Sequence, residues 1–117
     1  MAEFTEKTLK MIVAIVQRGH ADKVVDAAIQ AGAPAATVMF GRGQGMRERL
    51  GPLGVAIQPE KEVVLVVLEH WVSRRVLEAM VAAGRLDQPG VGFVCEVPVD
   101  KALGFVEAHE ATAAARS

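Results

Sequence analysis

The sequence of 117 residues is poor in aromatic residues, in cysteine and in net charge. It contains no tyrosine, one tryptophan and four phenylalanines, and its formal net charge is −1 at pH 7. This charge argues against nucleic-acid binding as the main function, because the phosphate backbone is bound by an excess of Lys and Arg. The single cysteine, Cys95, excludes an internal disulfide.

Long apolar runs are also missing. Those over residues 11–16 and 63–68 are far shorter than the roughly 20 residues that a membrane-spanning helix needs. The N-terminal residues are acidic and lack the apolar core of a signal peptide. These features predict a cytoplasmic protein that is not embedded in a membrane.

An apolar content of 51% predicts one compact domain over residues 1–117. This domain contains a repeated segment. Within it, Val24–Gly32 and Val76–Gly84 share Val, two Ala and a final Gly, and both have the apolar spacing of an amphipathic helix. Each final glycine suits the left-handed position that ends a helix. Ser73 is the expected N-cap of the second helix.

Apolar, β-branched runs precede and follow each predicted helix. They cover residues 10–17, 36–40, 62–69 and 92–97. The order β-α-β, a long connection and β-α-β predicts an α+β fold, the ferredoxin-like βαββαβ sandwich.

The first and third strands are apolar on both faces. Two helices cover only one face of a four-stranded sheet, so we predict that the other face is buried against further subunits. The alternative is a C-terminal helix from residues 107–117 that folds over this face. That tail is rich in alanine and has little apolar bulk, which favours the first interpretation.

Two connections are rich in glycine. The first, over residues 41–58, contains five glycines and three arginines, and a loop of this length in a small domain is usually functional. The second covers residues 84–92. Glycines allow backbone N–H groups to approach phosphates, and arginines supply charge.

Catalytic and metal-binding patterns are not visible in the sequence. The two serines lie in no recognisable nucleophile motif, and the three histidines are not at metal-ligand spacing. The glutamates at positions 60, 62 and 69 flank one predicted strand, which is typical of solubility rather than of acid/base catalysis. We therefore predict a protein that is not an enzyme and has no metal site.

In their order and spacing, these segments resemble the PII signalling superfamily over residues 10–107. The strand at 10–16 is similar to the first strand of that family. Phe40-Gly41-Arg42-Gly43-Gln44-Gly45 looks like the entry to its T-loop, and the segment 84–90 resembles its B-loop. Phe93-Val94 with Val97-Pro98-Val99 resembles a further segment of the family. The match places the T-loop at about 41–58, the B-loop at about 84–91 and a C-terminal tail at 107–117.

The resemblance to nitrogen regulatory protein P-II implies a homotrimer. An adenine nucleotide, ATP, ADP or AMP, would lie in the clefts between subunits, and it is open whether Mg²⁺ accompanies it. The T-loop would then signal to a partner protein such as a transporter or an enzyme. The ligand-binding residues that the resemblance implies are Thr37, Gly41, Arg42, Gly43, Gln44, Leu65, Gly84, Arg85, Gly90 and Gly92.

The sequence also departs from the family pattern. Without tyrosine, the uridylylation site of the T-loop is absent. Val91 or Gly92 stands where the B-loop of the family has a basic residue, and the two C-terminal arginines of the family are replaced near Gly104 and Val106. Two alternatives follow: a PII-like sensor of bicarbonate or another small anion in carbon or transport regulation, and a trimeric metal-binding protein of related fold.

Overall fold

The computed structural model describes residues 3–42 and 60–106 of the chain. Within these ranges the elements alternate in the predicted order. They are β1 (Leu9–Gln17), α1 (Ala21–Ala31), β2 (Thr37–Arg42), β3 (Glu60–Glu69), α2 (His70–Gly84) and β4 (Phe93–Val99).

β2 continues through Arg42, so Gly41 and Arg42 belong to a strand and the connection to β3 covers residues 43–59. Most of the predicted T-loop, with Gly43 and Gln44, lies outside the described residues. The predicted C-terminal tail, 107–117, lies outside them too.

The four strands form one sheet in the order β2-β3-β1-β4, and every neighbouring pair is antiparallel. β3 therefore lies between β1 and β2, the two strands that α1 connects. β1 in turn separates β3 from β4, which α2 connects. The predicted α+β fold, with two split βαβ units in one antiparallel sheet, is confirmed.

One face of the sheet is covered by the two helices. The even-numbered side chains of residues 12–16 in β1 and 62–68 in β3 point into this layer, where they are almost fully buried. The apolar stripes of α1 and α2 pack against them and against each other. The core formed in this way includes Ile12, Ala14, Val24, Ala28, Val64, Val66, Leu68, Val76 and Met80.

The odd-numbered side chains of the two central strands form the other face, which we call the open face. It comprises Met11, Val13 and Ile15 of β1, which lie opposite Val67, Leu65 and Val63 of β3. All six side chains are half-buried in the single chain. Among the described residues, the segment after β4 covers part of this face. Both faces of the central strands are apolar, as the sequence predicts.

The two helices of the repeat end differently. Gly32 follows α1 with φ +121°, which confirms the predicted left-handed position. For Gly84 the prediction is wrong, because this residue is still helical and Arg85 takes the left-handed conformation, with φ 54°. A Cβ atom at Gly84 would lie 3.0 Å from Cγ2 of Val24. Gly84 thus lets the two helices approach closely.

The prediction for Ser73 is also wrong. α2 begins directly after β3, at His70, whose N–H donates to the carbonyl of Thr8 at 2.9 Å, and Glu69 is the N-cap. Ser73 lies inside the helix, is 2% exposed, and its Oγ has no hydrogen-bond partner among the described residues. The helix starts earlier because β3 and α2 have no linker between them.

Candidate ligand-binding site

An apolar cavity of about 420 Å³ lies on the open face, between the sheet and the segment after β4. Thr37 of β2 and Leu65 of β3, both predicted to bind a ligand, lie opposite each other in the sheet register and line this cavity. Its other walls are largely apolar and include Met11, Ala36, Val67, Leu103 and Phe105. The structure thus brings two of the predicted residues together in one cavity.

The segment after β4 that closes this cavity is held by the N-terminal segment. The N–H of Thr5 donates to the carbonyl of Ala102 at 2.8 Å. Ala102 itself lines the apolar cavity, as do its neighbours up to Val106. The N-terminal residues therefore support one wall of the cavity without lining it.

A second cavity, of about 370 Å³, lies between the start of α1 and the loop that follows α2. We call it the basic cleft. Two predicted residues line it, Gly84 and Arg85, together with His20, Lys23 and Gln88. The sequence analysis missed His20 and Lys23. The repeated helical segment could have indicated them. Two helices that pack antiparallel place the start of the first helix beside the end of the second.

The other predicted glycines that the structure describes have different surroundings. Gly90 has a positive φ of 76°, which fits a turn before β4. A Cβ atom at Gly92 would lie 2.5 Å from the backbone oxygen of Ile15, so the close approach of the chain requires glycine there. A Cβ atom at Gly41 would meet nothing within 4 Å among the described residues. Local packing therefore explains Gly92 but not Gly41.

Charged residues surround the end of β2, where Gly41 and Arg42 lie, and the neighbouring start of β3. Arg42 is exposed, and it lies opposite Glu60 in the sheet register. Glu60 forms an ion pair with Arg18 at 2.9 Å. The side chain of Lys61 donates to Oε1 of Gln17 at 3.2 Å. This end of the sheet presents both signs of charge beside the exit to residues 43–59.

Glu62 is buried at this end of the sheet, and for this residue the assignment to solubility is wrong. Its side chain is among the buried charged groups, at 9% exposure. Oε1 accepts hydrogen bonds from the backbone N–H groups of Gly19 and Ala21, at 2.5 and 3.2 Å. Glu62 thus satisfies free N–H groups at the start of α1, where the preceding His20 makes no side-chain cap.

The predicted residues that the structure describes do not form one site within a single chain. Thr37, Gly41 and Arg42 lie on β2, at one edge of the sheet, and the loop with Arg85 and Gly90 leads into β4, at the opposite edge. Three strand spacings, roughly 14 Å, separate these edges. The apolar cavity opens on one side of the sheet, whereas the basic cleft lies at the ends of the helices on the other.

The part of the chain that the structure describes contains neither a metal-binding cluster nor a membrane-spanning helix. No group of three or more His, Cys, Asp or Glu side chains there is placed to hold a metal ion. None of the described helices is long and apolar enough to cross a membrane.

The model of a protein family described as nitrogen regulatory protein P-II matches residues 9–103. No curated protein matches the sequence. Among solved structures, the chain is similar to Arabidopsis thaliana PII bound to citrate, with a TM-score of 0.63 and 20% identity over 80% of this chain and 78% of that one. It is also similar to a Bacillus cereus protein related to NIF3, with a TM-score of 0.63 and 22% identity. That match covers 84% of this chain, which spans only 28% of the Bacillus protein. These two similarities concern the fold.

Proposed function

The chain belongs to the nitrogen regulatory protein P-II family, and from this premise we propose a regulatory, non-enzymatic protein that binds an adenine nucleotide, ATP, ADP or AMP. The nucleotide lies in clefts between the subunits of a homotrimer. The observation that carries this proposal is the apolar cavity in which Thr37 and Leu65 meet.

The chemistry of the apolar cavity suits a purine base. Its volume of about 420 Å³ exceeds that of an adenine ring, and its walls are mainly aliphatic side chains. Thr37 contributes a hydroxyl group, which can donate to or accept from a ring nitrogen. An apolar pocket with a few convergent polar groups is the usual form of a small-molecule site.

The phosphates would be bound by residues that one chain holds apart from this cavity. Arg85, Gly90 and Gly92 lie toward the opposite edge of the sheet. A second subunit packed against the open face would bring its own copy of such a group near the cavity. The apolar open face supports this arrangement, since six half-buried apolar side chains would otherwise remain in contact with water.

Signalling would follow from the position of Gly41 and Arg42. These residues end β2 directly before the connection 43–59. A ligand that contacts them would favour one arrangement of the T-loop over the arrangement without ligand. The two arrangements would present different surfaces to a partner protein. We propose that this partner protein is a transporter or an enzyme.

A second candidate function is the sensing of bicarbonate or another small anion. It is favoured by the basic cleft, which Lys23 and Arg85 line without any carboxylate among the other lining residues. A small anion would fit this cleft without occupying the apolar cavity.

Calorimetric titration of the protein with ATP, ADP, AMP and cyclic AMP, with and without Mg²⁺ and bicarbonate, tests both candidates. We expect one nucleotide per subunit, and the preferred phosphate number identifies the state that is sensed. No binding of any nucleotide would overturn the first candidate. Bicarbonate binding in the absence of nucleotide would then favour the second.

A further inference from the structure

We infer that the phosphates of the bound nucleotide are held by the start of α1 of a second subunit, through Lys23 with the assistance of His20, and not by that subunit's loop after α2 alone. This inference rests on the proposed nucleotide function. It adds two residues from an element that the sequence analysis did not connect with the ligand.

The loop after α2 offers a phosphate no net positive charge. Between Gly84 and Gly92 it contains one cation, Arg85, and one anion, Asp87, so its net charge is zero. Charge-assisted hydrogen bonds from Lys or Arg are the strongest contacts to phosphate. A cation from another element would add the positive charge that this loop lacks.

The start of α1 supplies it. Lys23 and His20 line the same cleft of about 370 Å³ as Arg85. No carboxylate is among the residues that line this cleft, although Asp22 and Asp87 are close in sequence. In the described residues none of the three basic side chains forms an ion pair or a side-chain hydrogen bond. The charges of Lys23 and Arg85 are therefore available to an anion.

The backbone at the start of α1 contributes less than these side chains. Glu62 already accepts from the N–H groups of Gly19 and Ala21, and its carboxylate offsets the positive end of the helix dipole. An anion in the basic cleft would therefore be held mainly by Lys23 and Arg85, with His20 as a further donor.

The conformation of Arg85 agrees with a role for its side chain. It is the one non-glycine residue with a positive φ in the part of the chain that the structure describes. This conformation is unfavourable for residues with a Cβ, and glycine would adopt it without the same cost. Position 85 thus carries a long cationic side chain, although its backbone conformation would favour glycine.

The test compares Lys23→Gln with Arg74→Gln, a control that removes the same charge. Arg74 is exposed in the first turns of α2, at the opposite end of the helix layer, where it pairs with Glu78 at 2.9 Å. We expect Lys23→Gln to weaken ADP binding about tenfold and to leave adenosine binding unchanged, because adenosine has no phosphate. Arg74→Gln should change ADP binding less than twofold, and Lys23→Arg should retain it.

Each outcome decides a separate question. Unchanged ADP binding by Lys23→Gln, or equal losses in both Gln variants, would overturn the role of Lys23 and leave the proposed nucleotide function intact. If the unmodified protein binds none of ATP, ADP, AMP and adenosine, the proposed function fails. Inorganic pyrophosphate then tests the basic cleft alone. Weaker pyrophosphate binding by Lys23→Gln but not by Arg74→Gln would support the basic cleft as an anion site. If the unmodified protein does not bind pyrophosphate, or if both variants bind it equally well, the anion site is overturned.

Discussion

Gly41 lies within β2 and Gly92 directly precedes β4, at opposite edges of the sheet, and their surroundings differ. At Gly92 an added methyl group would lie 2.5 Å from the backbone oxygen of Ile15. Main-chain atoms in a sheet do not move aside for a side chain without the loss of strand pairing. At Gly41 the same addition would meet no described atom within 4 Å.

This contrast gives a prediction at the scale of single residues. Gly92→Ala should lower the free energy of unfolding by about 2 kcal/mol or more, whereas Gly41→Ala should change it by about 0.5 kcal/mol or less. Urea unfolding monitored by circular dichroism measures both. Because we propose that the backbone of Gly41 contacts the ligand, Gly41→Ala should also weaken nucleotide binding. Equal stability of the two variants would contradict the described packing of Gly92.

At the scale of elements, the N-terminal segment and the segment after β4 act together. Neither is a helix or a strand, yet the hydrogen bond from Thr5 to Ala102 joins them at a wall of the apolar cavity. The N-terminal segment therefore influences the shape of the proposed base pocket from outside it.

Thr5→Pro removes the N–H donor of this hydrogen bond, whereas Thr5→Val keeps it. We expect the proline variant to bind nucleotide about three- to tenfold more weakly, which corresponds to the loss of one hydrogen bond, with a normal circular dichroism spectrum. The valine variant should bind like the unmodified protein. Equal affinities of the two variants would show that the wall of the cavity does not depend on this contact.

At the scale of the whole molecule, the open face determines how chains assemble. Val13 lies near its centre, opposite Leu65 on one side and Cys95 on the other. These side chains are apolar and only half-buried in one chain. Burial of this face between subunits would remove their remaining surface from water, and association would thereby be stabilised.

We expect the protein to sediment at about three times the 12.4 kDa mass of one chain. Val13→Lys should shift it to the monomer, because a buried lysine without a partner is costly, and Gln30→Lys on the exposed surface of α1 should not. Sedimentation velocity measures the mass, and circular dichroism confirms that each variant is folded. The milder Val13→Thr should weaken the trimer without unfolding the chain. A monomeric unmodified protein would contradict the proposed assembly.

Local patterns in the sequence predicted the secondary structure and the topology. Apolar residues at helical spacing predicted α1 and α2, and β-branched runs predicted the four strands to within two residues at every end. These patterns are reliable here because each depends only on neighbours along the chain. The order of the elements, together with the handedness of their connections, then left one sheet arrangement. The family followed from motifs at fixed spacing.

The tertiary structure alone decided which residues meet. Glu62 caps α1 from a distance of more than 40 residues, and Gly84 is required by Val24 of the other helix. The same packing brings Lys23 to Arg85 and leaves Thr37 on the far edge of the sheet. No local pattern encodes these pairs, because their proximity depends on how two helices cross one twisted sheet. The sequence by itself therefore determined the elements and the family, and tertiary packing decided where charge, glycine and cavity come together.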